Sequence, residues 1–262
     1  MKIIRLHLTI FILMFFLAGS LLVAHDHNSE SGILEGSGSA RIFLKHGDTT
    51  LMTDYTGRIE GVDHEYQYQA LTIGPYYRLH DNIKIGAFYR LQFGVLHEDD
   101  WIEDRDNPGD WTWRDTKKRD EHVGIGDITF RFLVPFIPGK NLVFEFKNRY
   151  LYNTFNNHHT LKTRPGLRYF IFYNKKPVLN IFAQYEMYFP LNYGVVTIYE
   201  QWLYGGFLAH FTDEFHAGLY GAYKKIVWGP SDEARDAGVG KDFKERYSAY
   251  IIGVVAMGRF KL

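Results

Sequence analysis

The side chains in this sequence that are best placed to do chemistry are charged groups that recur at every second position. Glu145, Lys147 and Arg149 follow this spacing. Side chains two residues apart on an extended strand share one face. The same spacing selects thirteen residues: Lys84, Arg90, Asp127, Arg131, Glu145, Lys147, Arg149, Lys162, Arg164, Arg168, Glu186, Glu200 and Lys224. Nine are basic and four are acidic, so a surface lined by them carries a net charge of plus five and suits small polar or anionic solutes.

Residues that would support catalysis are sparse. Beyond residue 40 the only serines are Ser231 and Ser248, and no histidine accompanies them at a spacing typical of a nucleophile and its base. The chain has no cysteine, which excludes disulfides and thiolate chemistry. We therefore predict no enzymatic activity and no cofactor.

A possible metal motif lies in the acidic stretch of residues 97–121, which holds ten acidic and five basic residues. Asp104, Asp106, Gly109 and Asp110 follow the offsets of a calcium-binding loop. Pro108, however, stands where a ligand belongs. The sequence favours a solvated acidic loop with no metal.

Strands are the elements that must position the charged residues. Leu142, Phe144 and Phe146 share one face of a strand whose other face carries Glu145 and Lys147, and a similar alternation continues to Pro190. These segments are about a dozen residues long, near the 9–11 residues of a tilted membrane-crossing strand. An apolar outer face and a polar inner face are typical of a barrel in lipid.

We therefore predict an all-β fold, an antiparallel up-and-down transmembrane β-barrel. Nine strands are clear from Glu65 onward. Residues 37–60 must supply one or three more if the number is even, as it is in bacterial single-chain barrels. We expect ten strands, with twelve as the alternative.

The domain organisation follows from composition. Residues 1–24 read as a secretory signal peptide, with Lys2 and Arg5 before a short apolar run. Residues 25–37 are predicted to be a flexible polar tail, and residues 38–262 the barrel. The formal net charge of zero favours no nucleic-acid partner.

Loop lengths predict an orientation. Bacterial barrels have short periplasmic turns and longer extracellular loops. With the C-terminus in the periplasm, the long polar stretches 97–121 and 229–244 both fall outside.

The chain resembles the outer-membrane β-barrel proteins of Gram-negative envelopes, and in particular an uncharacterised family of small porin-like barrels. The resemblance is carried by TLKTRPGLRYFIFY, PVLNIFAQYEMYFP and EQWLYGGFLAHFTDEFHAGLYGAYKK, and it covers about residues 65–262. It implies location in the cell outer membrane, contact with its lipid and lipopolysaccharide, and insertion by the barrel-assembly machinery through the C-terminal strand. That strand departs from the usual terminal aromatic residue, because Phe260 is followed by Lys261 and Leu262.

The function expected from these features is a narrow channel for small polar or anionic solutes, in a barrel for which a monomer is favoured. One alternative is a barrel plugged by paired charges, with a structural or surface-recognition role. Another is a secreted soluble β-barrel binding protein, which would hide its apolar face in a core. Strand length and the aromatic content of 17% favour the membrane.

Overall fold

The chain folds into a closed β-barrel. The computed structural model describes residues 30–60, 67–96, 100–103, 111–114, 117–135, 141–155, 157–192, 200–228, 236–238 and 245–262. The strands are β1 (Glu30–His46), β2 (Thr49–Glu60), β3 (Gln67–His80), β4 (Ile83–Leu96), β5 (Asp100–Glu103), β6 (Trp111–Arg114), β7 (Lys117–Leu133), β8 (Leu142–Asn153), β9 (His158–Tyr173), β10 (Lys176–Pro190), β11 (Glu200–His210), β12 (Phe215–Trp228) and β13 (Glu245–Lys261). In the described part of the chain, no helix is long and apolar enough to cross a membrane.

Eleven of these strands form the barrel wall, and β5 and β6 form a separate hairpin within the connection from β4 to β7. The all-β barrel is confirmed, but the predicted count of ten, or twelve, is wrong. Residues 37–60 contribute to two strands, β1 and β2, where one was expected. The odd number arises because β1 closes the barrel by pairing in parallel with β13.

Of the two predicted domain boundaries, only the one between the tail and the barrel, at residues 37 and 38, lies within the described residues. The signal-peptide prediction, residues 1–24, lies outside the described residues. The predicted tail, residues 25–37, overlaps β1, which begins at Glu30. Residues 30–37 therefore belong to the barrel wall.

The strands are strongly tilted. Cα partners can be followed from strand to strand around the wall, starting at Lys261 on β13 and passing first to Lys45 on β1. The path returns to β13 at Tyr247, fourteen residues from its start. A stagger of this size requires a tilt of about 40°. A twelve-residue strand such as β8 then rises about 30 Å along the barrel axis.

The two faces of the wall differ in chemistry. In β13, Ile251 is 1% exposed whereas Ile252 is 63% exposed, and the alternation continues along the strand. The exposed face carries many large apolar residues, whereas the buried face mixes acids, bases and amides with apolar side chains such as Phe88, Ile125 and Trp202. The interior thus combines charged and apolar side chains, and the exterior is largely apolar.

The two ends of the barrel also differ. At one end, β1–β2 and β9–β10 are joined by two-residue turns, in which Gly47, Asn174 and Lys175 have positive φ. Such residues fit the tight turns that match the twist of a hairpin. The C-terminus lies at this end, and the hairpin β5–β6 lies in a long connection at the other.

Candidate functional site

The thirteen charged residues selected from the sequence all lie on the same face of their strands as the buried side chains. Because neighbouring strands pair in register, these positions meet in rows across the wall. Asp127 faces Arg149, and Glu145 faces Arg131, each as Cα partners. The rows bring most of the set into clusters, each built around one acid.

The first cluster surrounds Asp127. Its Oδ2 atom accepts a hydrogen bond from Arg149 Nε at 2.7 Å and lies 3.1 Å from Lys147 Nζ. Thr129 Oγ1 donates to the other carboxylate oxygen at 2.9 Å. Lys147 also donates to the Tyr76 hydroxyl at 2.9 Å. Charge-assisted bonds of this kind offset the cost of removing a carboxylate from water.

The second cluster surrounds Glu186. Lys162 Nζ lies 2.6 Å from Glu186 Oε1, and Arg164 lies 3.6 Å from Oε2. The hydroxyls of Tyr188 and Tyr204 donate to Oε1 at 2.7 and 3.1 Å. Two cationic side chains and two hydroxyl donors, from three strands, therefore surround one buried carboxylate.

The third cluster is centred on Glu145. Arg131 donates to Glu145 Oε2 at 2.6 Å, and Arg168 Nη2 lies 3.6 Å from Oε1. Arg131 and Arg168 come from β7 and β9, on either side of β8. Glu145 thus holds two guanidinium groups at the same level of the wall.

The remaining predicted residues are more dispersed. The Lys84 ammonium lies 3.9 Å from the centre of the Tyr76 ring, and Arg90 Nε donates to Thr72 Oγ1 at 3.1 Å. Glu200 accepts a hydrogen bond from the Trp202 indole at 2.5 Å.

Two interior ion pairs contain residues that were not selected from the sequence. Lys224 was selected, and it lies 2.5 Å from Glu35, which was assigned to the flexible tail. Arg41 and Asp54 form a second pair at 2.6 Å between β1 and β2. Arg259 also has the buried parity of β13. Arg259 lies eight residues after the buried Ile251, so the alternation along β13 would have placed it inside the barrel. In β1 no regular alternation of large apolar residues marks which face is buried.

In most of the interior ion pairs, the basic side chain is more exposed than the acidic one. The Arg131 side chain is 49% exposed and its partner Glu145 is 4% exposed. For Arg41 and Asp54 the values are 32% and 15%. The bases that contact Asp127 and Glu186 are likewise more exposed than those acids. In these clusters the acids therefore lie deeper and the bases cover them toward the lumen, whereas in the Glu35–Lys224 pair both side chains are buried.

The acidic stretch 97–121 is described only in part, so the residues of the calcium-type spacing, at 104–110, lie outside the described residues. Among the side chains that the structure describes, no three His, Asp or Glu residues form a metal-binding group.

Comparison of the sequence with protein-family models and with curated proteins finds no match.

Proposed function

We propose that this protein is an integral outer-membrane β-barrel that acts as a narrow channel for small polar or anionic solutes. The observation that carries the proposal is the layering of charge in the interior. Because the acids are buried beneath the bases, a solute in the lumen meets mainly guanidinium and ammonium groups. Rings of basic side chains are how anion pores select their solutes.

The exposed face supports a lipid environment. Leucine, isoleucine and valine side chains cover its middle, including Ile73, Leu219 and Val254. Exposed aromatic residues occur toward both ends of the strands: Tyr150 and Tyr250 toward the long loops, and Tyr77, Tyr173, Phe211 and Phe260 toward the short turns. Two aromatic girdles around an apolar band are typical of outer-membrane barrels. A contiguous apolar surface of this kind favours lipid over water.

In this proposal the short turns and the C-terminus face the periplasm. The apolar band contacts outer-membrane lipid and lipopolysaccharide, the assembly machinery reads β13, and the barrel acts as a monomer. The resemblance to Gram-negative outer-membrane barrels supports the same location. No catalytic activity, cofactor or nucleic-acid partner is proposed.

A second candidate is a plugged barrel with a structural or surface-recognition role. It is favoured by the density of the clusters around Asp127 and Glu186, where several donors converge on each carboxylate. Barrels of about eight strands are just filled by their side chains, so an eleven-strand barrel has little space beyond these clusters.

Planar-bilayer recording on refolded protein tests the proposal, after a heat-modifiability gel has confirmed a folded barrel. In a salt gradient we expect discrete current steps with a reversal potential that indicates anion preference. Replacing Arg164 and Arg168 by Ala removes two partly exposed positive charges and should shift the reversal potential toward zero. Lys225→Ala is the matched control, because Lys225 is exposed on the opposite side of β12 from Lys224.

Three outcomes would count against the channel. Reversal potentials that stay the same after replacement of Arg164 and Arg168 would contradict their place on the ion path. A folded barrel without current would favour the plugged barrel. A protein that stays in solution without detergent would favour the secreted binding protein.

A further inference from the structure

Five arginines of the interior come together toward the short-turn end of the barrel. Arg41 and Arg259 lie on β1 and β13, whereas Arg131, Arg164 and Arg168 lie on β7 and β9. Along the wall, β9 is separated from β1 by five strand-to-strand steps in one direction and six in the other. The two groups of arginines therefore project from opposite walls.

An eleven-strand barrel with this stagger is about 20 Å across between opposite backbones, so arginine side chains that project from opposite walls approach each other in the interior. Arg131, Arg164 and Arg41 all act electrostatically on Arg168. Arg131 and Arg41 act in the same way on Arg259. Guanidinium groups from opposite walls thus share one region, which we call the arginine constriction.

The carboxylates within reach do not balance this charge. Glu145 contacts Arg131 and Arg168, and Asp54 contacts Arg41. Glu186 contacts Arg164 but also Lys162. In this cluster of described residues, six bases including Arg259 face three acids, which leaves a net charge of plus three.

Unused hydrogen-bond donors accompany the excess charge. Among the residues that the structure describes, the buried Nε atoms of Arg164 and Arg168 have no hydrogen-bond partner. Arg259 Nη2 donates only weakly, to the sulfur of Met257 at 3.5 Å. A buried donor without a partner costs free energy that a bound acceptor would recover.

We propose that the arginine constriction is a binding site for small tetrahedral oxyanions of the phosphate class. The planar guanidinium presents paired N–H donors that match two oxygens of one oxyanion, a geometry that chloride cannot use. A doubly charged anion also offsets most of the excess positive charge. This inference rests on the proposed function only in that the lumen must admit the anion from water.

The experiment has two readouts on the same refolded protein. Isothermal titration calorimetry in detergent measures binding of inorganic phosphate, and planar-bilayer recording measures the block of chloride current by phosphate. We expect saturable binding and a saturable block. Arg168→Lys and Arg259→Lys keep the charge but remove the paired donors, so each should weaken phosphate binding by about tenfold or more. Lys225→Gln removes one positive charge outside the lumen and should bind phosphate as the wild type does.

The two readouts separate the two proposals. A barrel that conducts anions but neither binds phosphate nor is blocked by it overturns the oxyanion site alone. Phosphate binding by a barrel without current supports the site and overturns the channel. Equal phosphate affinity in wild type, Arg168→Lys and Arg259→Lys would also overturn the site, because the paired donors would then have no role.

Discussion

At the residue scale, the interior shows how a barrel holds charge away from water. Glu35 and Lys224 are both essentially inaccessible, at 0% and 1% of side-chain surface, and their charged atoms lie 2.5 Å apart. Arg78 and Asp48 have the same separation but are each about half exposed. The two pairs differ in burial and not in distance. Comparing them therefore tests how burial changes the contribution of an ion pair to the free energy of unfolding.

We expect Lys224→Met to lower the free energy of unfolding by about 3–5 kcal/mol, because it leaves the Glu35 carboxylate buried with its main charged partner removed. Adding Glu35→Leu should recover part of that loss. Arg78→Met should cost at most about 1 kcal/mol, since water screens an exposed pair. Urea unfolding in micelles, followed by tryptophan fluorescence, measures all four proteins. Equal costs for Lys224→Met and Arg78→Met would contradict the burial of the Glu35–Lys224 pair.

The sequence allowed the charged faces of β7 to β10 to be assigned because large apolar residues mark the alternate face. Glu35 and Arg41 escaped notice because their outward neighbours are small, with Gly36, Gly38 and Ala40 in place of large apolar side chains. The convergence of Arg41 and Arg259 with Arg168 also lay beyond the sequence. It depends on which strands stand opposite each other in the closed wall.

At the element scale, β11 and β12 approach each other too closely for side chains at two interior positions. A Cβ atom added at Gly218 would lie 1.9 Å from the Phe207 carbonyl oxygen, and one at Gly206 would lie 2.4 Å from that of Leu219. Both contacts are to backbone, which a rotamer change cannot relieve. Glycine in a strand often marks such a close approach or a bend at a barrel corner.

Gly218→Ala should therefore destabilise the barrel by several kcal/mol or prevent folding, because the two strands must move apart and lose hydrogen bonds. Gly126→Ala is the control: it lies on the outward face of β7, and an added Cβ meets nothing within 4 Å. Alanine there should be neutral or stabilise by up to about 1 kcal/mol. The fraction of protein that shows heat-modifiable migration after refolding reports both changes. Normal refolding of Gly218→Ala would show that β11 and β12 have more freedom than this close approach implies.

At the scale of the whole molecule, the main departure from expectation is the way the barrel closes. An even number of strands was expected because antiparallel pairing throughout requires it. The structure closes instead through β1 and β13 in parallel, from Leu34 beside Tyr250 to Leu44 beside Phe260. This pairing depends on contacts between the two ends of the chain, so local alternation of residues carries no signal for it. Glu35 reinforces it by reaching past β13 to Lys224 on β12.

A disulfide tests this closure directly, because the chain has no cysteine of its own. Ala40 and Ala256 are Cα partners on β1 and β13, and adjacent strands bring Cα atoms about 5 Å apart, within the range of a disulfide. We expect the two thiols of Ala40→Cys/Ala256→Cys to form a disulfide readily when dissolved oxygen is present as the oxidant, with a loss of two hydrogens in the intact mass. Tyr55, on β2, is the Cα partner of Ala40 on β1. It is therefore two strands from Ala256, about 10 Å away, which is too far for a disulfide. Tyr55→Cys/Ala256→Cys should stay reduced. The opposite result, in which only the Tyr55 pair cross-links, would mean that β2 closes on β13 and that the barrel has ten strands without β1.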